Sequence, residues 1–214
     1  MTGETLQTRL LEAESSAQKV ILELKKEITS GMTEADIAQK ALTIMAKLGA
    51  KKNWHKPVVR IDENTTLSFS EPAKNPDIQS TSESIVMLDF GPVFKGYEAD
   101  VAETICLSGR PEHLRIIRAS EQIWEETTKF WKEEGSETTG KKIYEFASYL
   151  AEKADYDLIT TEGGHRIGEF PHERTTPKKL CDLEIYPEPF EWILEIKLCH
   201  KSEPFGAFYE RILH

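Results

Sequence analysis

Cysteine is scarce in this sequence, with three residues among 214, at the irregular spacing of Cys106, Cys181 and Cys199. Three unevenly spaced cysteines form neither a disulfide framework nor the paired pattern of a zinc site. We therefore expect free thiols in a reducing compartment, and the predicted location is the cytoplasm.

Basic charge is also in deficit, because 27 lysines and arginines stand against 37 aspartates and glutamates, for a net charge of −10. A nucleic-acid partner requires a basic surface to neutralise phosphates, and this composition does not provide one. No apolar run approaches the roughly 20 residues of a membrane span, and the first residues lack the pattern of a signal peptide. The sequence predicts one well-cored domain over 1–214, with no nucleic-acid or membrane partner.

What the sequence does contain is a pair of acidic residues in a predicted β-hairpin. A short apolar run ends at Asp89, and a second strand-like run, 97–107, carries Asp100. If the turn is centred between Phe94 and Lys95, the two aspartates are opposite each other, with Cβ atoms about 4.5–5.5 Å apart. Two like charges at this distance destabilise a sheet unless a cation lies between them. The alternative is a bulge that turns the side chains to opposite faces and leaves Asp100 in solvent.

A second predicted hairpin repeats this arrangement with glutamates. The runs 191–199 and 205–213 alternate in the manner of strands around Glu195 and Glu210. The midpoint between the two glutamates falls within the polar turn 200–204, so they are also predicted to be opposite each other. Four convergent carboxylates on otherwise apolar strands favour the cation over the bulge, and predict a metal site.

The order of the predicted elements occurs twice, as two helices, then strands, then an acidic hairpin. Helices are predicted at about 4–28, 33–48, 111–134 and 139–154, and short strands at 57–61, 65–69 and 156–160. This order predicts an α+β fold, with helices packed on a curved antiparallel sheet and two similar halves of about 1–109 and 110–214. The four tryptophans are predicted core residues: Trp54, Trp124, Trp131 and Trp192.

The loop at about 162–180 adds two histidines, His165 and His172. Glycines on both sides of His165 let the backbone lie close to whatever the imidazole contacts. The two histidines do not form the helical HExxH pattern of zinc peptidases. Beside four paired acids we expect one imidazole ligand, and the residues by themselves leave open which histidine supplies it.

Taken together, these residues resemble the methionine aminopeptidase, Xaa-Pro aminopeptidase and prolidase family. The resemblance depends on the GGHxIG…HE loop and on five residues in order: Asp89, Asp100, His165, Glu195 and Glu210. It covers essentially the whole chain and implies the pita-bread fold of two pseudo-symmetric halves, in a divergent, short member similar to Xaa-Pro aminopeptidases. The resemblance also implies that these five residues bind two divalent metal ions. The four carboxylate charges balance two such ions, and oxygen-rich ligation favours Mn, Fe, Co or Zn.

By the same resemblance, the protein is expected to be a hydrolase in which a metal-bridging hydroxide attacks an amide carbonyl. Glu195 would carry the proton from water to the leaving amine. His172 would face the substrate and donate to the developing oxyanion. Phe69 and Arg166 are further expected substrate contacts, and the substrate is a small peptide or another small molecule.

Three departures from the family pattern concern substrate handling. The stretch 67–71 has no histidine, although peptidases of the family carry one upstream of the first aspartate; Glu103 stands where arginine is common, and Arg166 where glycine is usual. The guanidinium of Arg166 can take one of two orientations. It binds a substrate carboxylate, or it turns away to pair with one of three nearby acids, Glu162, Glu169 or Glu173.

Three functions therefore remain. The first is an aminopeptidase or dipeptidase with a dinuclear metal centre. The second is a metal-dependent enzyme of the same fold that acts on a non-peptide small molecule by hydrolysis or oxygen chemistry. The third is a non-catalytic pita-bread binding module, which would not need all five ligands. The oligomeric state also stays open, with a homodimer among the alternatives.

Overall fold

The computed structural model describes residues 5–172 and 178–214. The α-helices in these ranges are α1 (Leu6–Leu24), α2 (Glu34–Lys47), α3 (Pro111–Glu134) and α4 (Gly140–Lys153). The first five strands are β1 (Lys52–Asn53), β2 (Val58–Ile61), β3 (Ile85–Phe90), β4 (Pro92–Phe94) and β5 (Tyr97–Glu98). They are followed by β6 (Val101–Cys106), β7 (Tyr156–Leu158), β8 (His165–Arg166), β9 (Trp192–His200) and β10 (Gly206–Ile212).

Most of the strands form one antiparallel sheet in the order β2-β3-β6-β10-β9-β7, with β8 also paired to β9. A smaller sheet has the order β1-β4-β5. The larger sheet unites early and late parts of the chain, because β6 pairs with β10 through Ala102 and Glu210.

Both pairs of helices pack on alternate residues of this sheet. Val86, Leu88 and Phe90 of β3 lie in one apolar core with residues of α1 and α2. The corresponding residues of β9 (Leu194, Ile196 and Leu198) lie in a second core with residues of α3 and α4. Because successive side chains of a strand point to opposite faces, Asp89 and Glu195 lie on the face turned away from these helices.

One row of paired residues places three of the acids on that face. Asp89 of β3 pairs with Ala102 of β6, Ala102 with Glu210 of β10, and Glu210 with Glu195 of β9. Paired residues of antiparallel strands point to the same face of the sheet. The small side chain of Ala102 separates Asp89 from the two glutamates, which are direct cross-strand neighbours.

The predicted fold class is confirmed, and so are the main elements of each half. The capping box predicted for the second helix is present between Thr33 and Asp36, and Pro111 begins α3. The second acidic hairpin has the predicted register, with Glu195 opposite Glu210. A helix pair followed by strands occurs in both parts of the chain, and the boundary between halves at about 109 and 110 stays a prediction.

The register predicted for the first acidic hairpin is wrong. Phe94 pairs with Tyr97, so the turn is centred one position later than predicted, between Lys95 and Gly96. Both turn residues have positive φ, of 53° and 93°, as a tight hairpin turn requires. Asp89 is consequently opposite Ala102 and not Asp100.

The strand predicted at 65–69 is also wrong, because a 3₁₀ helix occupies Asp62–Thr66. Asp62 has φ 49°, and its carboxylate accepts hydrogen bonds from the Ser84 hydroxyl at 2.8 Å and the Ile85 N–H at 3.0 Å. The Asn64 amide donates to Glu34 at 2.9 Å, and the Thr65 hydroxyl donates to the Asp62 carbonyl at 2.6 Å. These side-chain hydrogen bonds stabilise a turn in place of a strand. A pattern of alternating apolar residues does not reveal such bonds.

Two expectations from composition can be compared with the structure. No helix in ranges 5–172 and 178–214 has the length and apolar character needed to cross a membrane. The three cysteines are free thiols.

Tyr144 fixes the backbone of the acid-bearing strand β9, and loss of its hydroxyl should lower the stability of the fold. Its hydroxyl donates to the Glu195 carbonyl at 3.0 Å and accepts from the Glu195 N–H at 3.2 Å, both in the buried interior. We expect Tyr144→Phe to lower the free energy of unfolding by about 1–3 kcal/mol, because two buried backbone groups lose a partner. Denaturant titration of the metal-free protein measures this change.

The matched control is Tyr149→Phe on the same helix, because Tyr149 is 52% exposed. This control should change the free energy of unfolding by less than about 0.5 kcal/mol. Equal effects of the two substitutions would contradict the role assigned to Tyr144.

Candidate metal centre

A cavity of about 720 Å³ opens on the acidic face of the sheet. It is lined by all five residues predicted as metal ligands, namely Asp89, Asp100, His165, Glu195 and Glu210, and also by Phe69. Strands β3, β8, β9 and β10 contribute to it, together with five connecting segments. The structure therefore brings together residues that are far apart in the sequence.

Asp100 lies at the centre of this group although the hairpin register differs from the prediction. Its Oδ2 lies 2.8 Å from Nε2 of His165, and its Oδ1 lies 3.1 Å from Nε2 of His55. The same His55 nitrogen is 3.6 Å from Oδ1 of Asp89. Asp100 reaches this position because it falls in the break between β5 and β6, where its backbone is free of the ladder.

Two groups of residues have ligand atoms close enough to hold a metal ion. One consists of His55, Asp89 and Asp100, and the other of Asp100, His165 and Glu210, with all ligand atoms of a group within 4.8 Å of one another. Asp100 belongs to both groups. A shared carboxylate is the arrangement needed for two ions held side by side.

Glu195 lines the same cavity but belongs to neither group. Its Oε2 accepts a hydrogen bond from the backbone N–H of Gly164. Gly164 has φ +77°, and a Cβ on this residue would lie 2.7 Å from the carbonyl oxygen of Ile193. Glycine is therefore required for this approach. The role of Glu195 as a metal ligand stays a prediction.

Burial of the acids without compensating partners indicates that a cation belongs here. Oε1 of Glu210 has no hydrogen-bond partner in the described structure, although it is fully enclosed. Burial first, and then the charges of Asp100, Asp89 and Glu195, raise the pKa of Glu210 well above its ordinary value. Buried carboxylates are normally paired or bound to metal. The donor set, of oxygen atoms with imidazole nitrogens, fits a divalent ion of the Mn to Zn series.

Burial raises the pKa of Asp89 to about 7, with His55 acting in the opposite direction. Burial likewise raises the pKa of Glu195 to about 8 against the opposing effects of His165 and the Gly164 N–H. For Asp100 the balance is reversed, because the His55 charge and the bonded His165 outweigh burial and hold its pKa well below the usual range. Asp100 is therefore the most readily ionised carboxyl group of the site.

The pKa values of the two imidazoles, His55 and His165, are raised. Burial lowers the pKa of both histidines, but the carboxylates outweigh it. Asp100 and Asp89 raise the pKa of His55 to about 10. The hydrogen bond and charge of Asp100 raise the pKa of His165 to about 9. In the metal-free protein, the protonated imidazoles supply the positive charge that a bound cation would otherwise supply.

His55 was missed by the sequence analysis, which sought an upstream histidine only at 67–71. The signal for it was available, because His55 is the one histidine that precedes Asp89 in the sequence. Gly91 permits its approach, since a Cβ there would lie 2.1 Å from Cδ2 of His55 and 2.6 Å from Nε1 of Trp54. The stretch 67–71 does lack a histidine, and His55 brings an imidazole to the site from another segment of the chain.

Trp54 is likewise not the core residue that was predicted, because it lines the cavity. Its Nε1 donates to the carbonyl of Ala99 at 3.0 Å, next to Asp100. The indole ring lies 5.1 Å from the ring of His165 and 6.3 Å from that of His172, measured between centroids. It forms an aromatic wall between the two histidines.

His172 is held by an acid from the first half of the chain. Its Nδ1 lies 2.6 Å from Oε2 of Glu98, which is 2% exposed, and its backbone N–H donates to Oε1 of Glu98 at 3.2 Å. With Nδ1 engaged by Glu98, Nε2 is the ring nitrogen left for other contacts. The role of His172 toward substrate stays a prediction.

Arg166 does not line the cavity. Its Nη1 donates to the carboxylate of Glu191, and its guanidinium lies 5.3 Å from the ring centroid of Trp192. This arrangement does not support a substrate contact. Of the two alternatives, the guanidinium does turn away. Among the described residues its carboxylate partner is Glu191, and neither Glu162 nor Glu169. Glu173, the third acid named, lies outside the described residues.

Glu103 also points away from the cavity. It follows Ala102 on β6, so its side chain lies on the helix-covered face. There its carboxylate accepts from Lys25, the residue that follows α1, and from Arg211 of β10. Glu103 therefore belongs to an ion-pair network behind the site.

The comparison that decides the family is a match to the model of metallopeptidase family M24 over residues 8–195. The chain belongs to this family. Two curated relatives within it are provisionally named Xaa-Pro aminopeptidases. One, from Mycoplasma pneumoniae, is 27% identical over 76% of this chain and 47% of its own length; the other, from Mycoplasma genitalium, is 24% identical over 77% and 48%. The chain thus spans about half the length of the curated relatives that it matches.

Solved structures of M24 enzymes share the fold. A Pyrococcus horikoshii dipeptidase superposes with a TM-score of 0.80, at 23% identity, over 97% of this chain and 56% of its own. A methionine aminopeptidase from Thermotoga maritima gives 0.74 at 16% identity, over 99% and 93% of the two chains. The pita-bread fold implied by the family resemblance is confirmed by these superpositions.

The raised pKa values predict that metal uptake by this M24 chain expels protons. Near pH 7 the metal-free site retains protons on groups that must lose them to bind an ion, since Glu195 has a pKa of about 8 and His165 of about 9. Metal affinity should therefore fall as the pH falls, by about tenfold per pH unit for each proton expelled. Calorimetric titration with Mn²⁺ in two buffers of different ionisation enthalpy measures this release. Heats independent of the buffer, with a flat affinity from about pH 6 to about pH 8, would contradict it.

Proposed function

We propose that this chain is a metal-dependent peptidase domain that hydrolyses an amide bond near the N-terminus of small peptides. The proposed class is an aminopeptidase or dipeptidase similar to the Xaa-Pro aminopeptidases, with two divalent ions chosen from Mn, Fe, Co and Zn. Membership of family M24 and the names of the curated relatives support this class. The free cysteines support the cytoplasm as the location.

The observation that carries the proposal is the position of Asp100. This carboxylate contributes to both candidate ligand groups at once. Around it, Glu210 is buried with an oxygen that has no hydrogen-bond partner among the described residues. A binding module of the same fold would gain nothing from acids that destabilise the sheet in the absence of cations. Their retention supports a catalytic centre.

When bound, divalent ions supply Lewis-acid polarisation of the amide carbonyl and lower the pKa of water. Among the residues of this chain, Glu195 is the proposed proton carrier. One of its oxygens is fixed by the Gly164 N–H, and burial raises its pKa to about 8, with His165 and that N–H acting in the opposite direction. A carboxyl group with a pKa near neutrality can both accept and return a proton at physiological pH.

Phe69, which lines the cavity, and His172, which lies behind the lining residue Trp54, are the proposed substrate contacts. Glu98 accepts the Nδ1–H of His172 at 2.6 Å, so the other ring nitrogen can donate to the developing oxyanion when the imidazole carries both protons. Phe69 lines the cavity and is 50% exposed. An exposed aromatic ring beside the ligand groups offers apolar surface to a substrate side chain.

A substrate panel tests the reaction class. The protein reconstituted with Mn²⁺ or Co²⁺ is incubated with Xaa-Pro peptides, Met-Xaa peptides and unrelated amides, and release of the N-terminal residue is measured. Cleavage of either peptide class supports the proposal. Binding of metal without cleavage of any peptide would contradict it and would favour the non-peptide alternative.

Substitution of Glu195 tests the proposed proton carrier. Glu195→Gln retains an oxygen atom that can accept the Gly164 N–H but loses basicity, so kcat should fall about 10²- to 10⁴-fold. The measurement is steady-state kinetics on the substrate that the panel identifies. The matched control is Glu191→Gln, near the start of the same strand, where the carboxylate binds Arg166 outside the cavity. Similar kcat values for the two variants would show that another residue carries the proton.

A further inference from the structure

Lys197 is a buried lysine beside the candidate metal centre. It lies on β9 two residues after Glu195 and is 1% exposed. Side chains two apart on a strand point to the same face. The ammonium therefore lies on the acidic face of the sheet, where burial of a charge requires specific partners.

The partners of Lys197 belong to segments that form the wall of the cavity. Its Nζ donates to the carbonyl of Leu67 and lies 3.6 Å from Oε1 of Glu162. Nζ also lies 5.7 Å from the ring centroid of Phe208. Glu162 lines the cavity, yet its side chain is 7% exposed.

Glu162 extends this contact to Phe69. Its Oε1 accepts the backbone N–H of Phe69 at 2.7 Å, and its Oε2 accepts the hydroxyl of Thr161 at 2.6 Å. Lys197 is thus attached directly to Leu67 and, through Glu162, to Phe69. The two attachments lie two residues apart on the segment that carries the exposed Phe69 ring.

The other backbone hydrogen bonds shown for this segment are local. The Leu67 N–H donates to the carbonyl of Asn64 at 3.1 Å, and the Ser68 N–H donates to the carboxylate of Glu71 at 2.7 Å. Such bonds define a turn without fixing its position over the sheet. The contacts to Lys197 and Glu162, together with the buried side chain of Leu67, therefore set the position of Phe69, whose ring centroid lies 5.6 Å from that of His55.

We propose that Lys197 is a positioning residue that, together with Glu162, holds Phe69 on the wall of the cavity and thereby sets the affinity for substrate. The proposal rests on the function proposed above. Lys197 itself does not line the cavity and is not a metal ligand. Its effect should appear in KM, with little effect on kcat, since a substrate contact that is equal in ground and transition states changes binding alone.

A competing explanation is that the Lys197 charge acts on the metal centre, because it also interacts with the Asp89 carboxylate. Removal of a nearby cation would then strengthen metal binding and change kcat. The two explanations differ in three measurements, namely metal affinity, kcat and the amide exchange of Phe69.

The experiment compares Lys197→Met with the wild-type protein, both loaded with Mn²⁺. Methionine keeps much of the length of the side chain and removes the ammonium. The matched control is Lys201→Met, just beyond the end of the same strand, where the lysine pairs with Glu152 and Asp155 on the surface. Hydrogen exchange of the Phe69 amide, metal binding (content and affinity), KM and kcat are measured for each protein.

We expect Lys197→Met to raise KM about tenfold, equivalent to about 1.4 kcal/mol, with kcat and metal content little changed. The Phe69 amide should exchange at least about tenfold faster, because the carboxylate that it binds loses its own partner. Lys201→Met should leave all four quantities unchanged. Unchanged KM and exchange in Lys197→Met, or a change in kcat and metal affinity alone, would overturn the proposal.

A second variant keeps the test decisive if Lys197→Met does not fold. Glu162→Gln removes the ion pair and retains an oxygen acceptor, so exchange at Phe69 and KM should change in the same direction by a smaller factor. No change in either quantity would overturn the proposal. If the wild-type protein cleaves no peptide, the proposed function fails, whereas Phe69 exchange still tests the positioning by Lys197.

Discussion

The structure depends on how the sheet tolerates four carboxylates on one face. Asp89, Glu195 and Glu210 lie in a single row of paired strand positions, and Asp100 lies beside them in a break between strands. Like charges at these separations oppose folding unless cations or protons neutralise them. In the metal-free protein, His55 and His165 carry positive charge next to Asp100. Metal ions would replace these protons and join the two halves of the sheet at the same place.

The rest of the fold supports this group from behind. The helices pack on the opposite face, and Tyr144 of α4 binds the backbone of Glu195 from behind. Glycines are placed where the site requires close approach, at Gly91 under His55 and at Gly164 beside Glu195. The site is thus built on strands and tight turns, which hold ligands more precisely than long loops do.

The structure brings the four predicted acids to one cavity, but the sequence arguments that placed them were of unequal quality. The register of Glu195 and Glu210 followed from strand alternation on both sides of a polar turn, and it is confirmed. The first hairpin was misplaced because the positive φ values at Lys95 and Gly96 move the turn by one position. His55 and the orientation of Arg166 depend on contacts between distant segments, with Asp100 and Glu191 respectively. Such contacts leave no periodic signal in one sequence.

The central claim is that the acids around Asp100 form a dinuclear metal centre. Metal analysis after reconstitution with Mn²⁺ and removal of the excess tests it most directly, in the wild-type protein and in Asp100→Ala. The account predicts two tightly bound ions per wild-type chain and loss of both in the variant, because Asp100 belongs to both ligand groups. One ion or none in the wild-type protein, or two ions retained by Asp100→Ala, would contradict it.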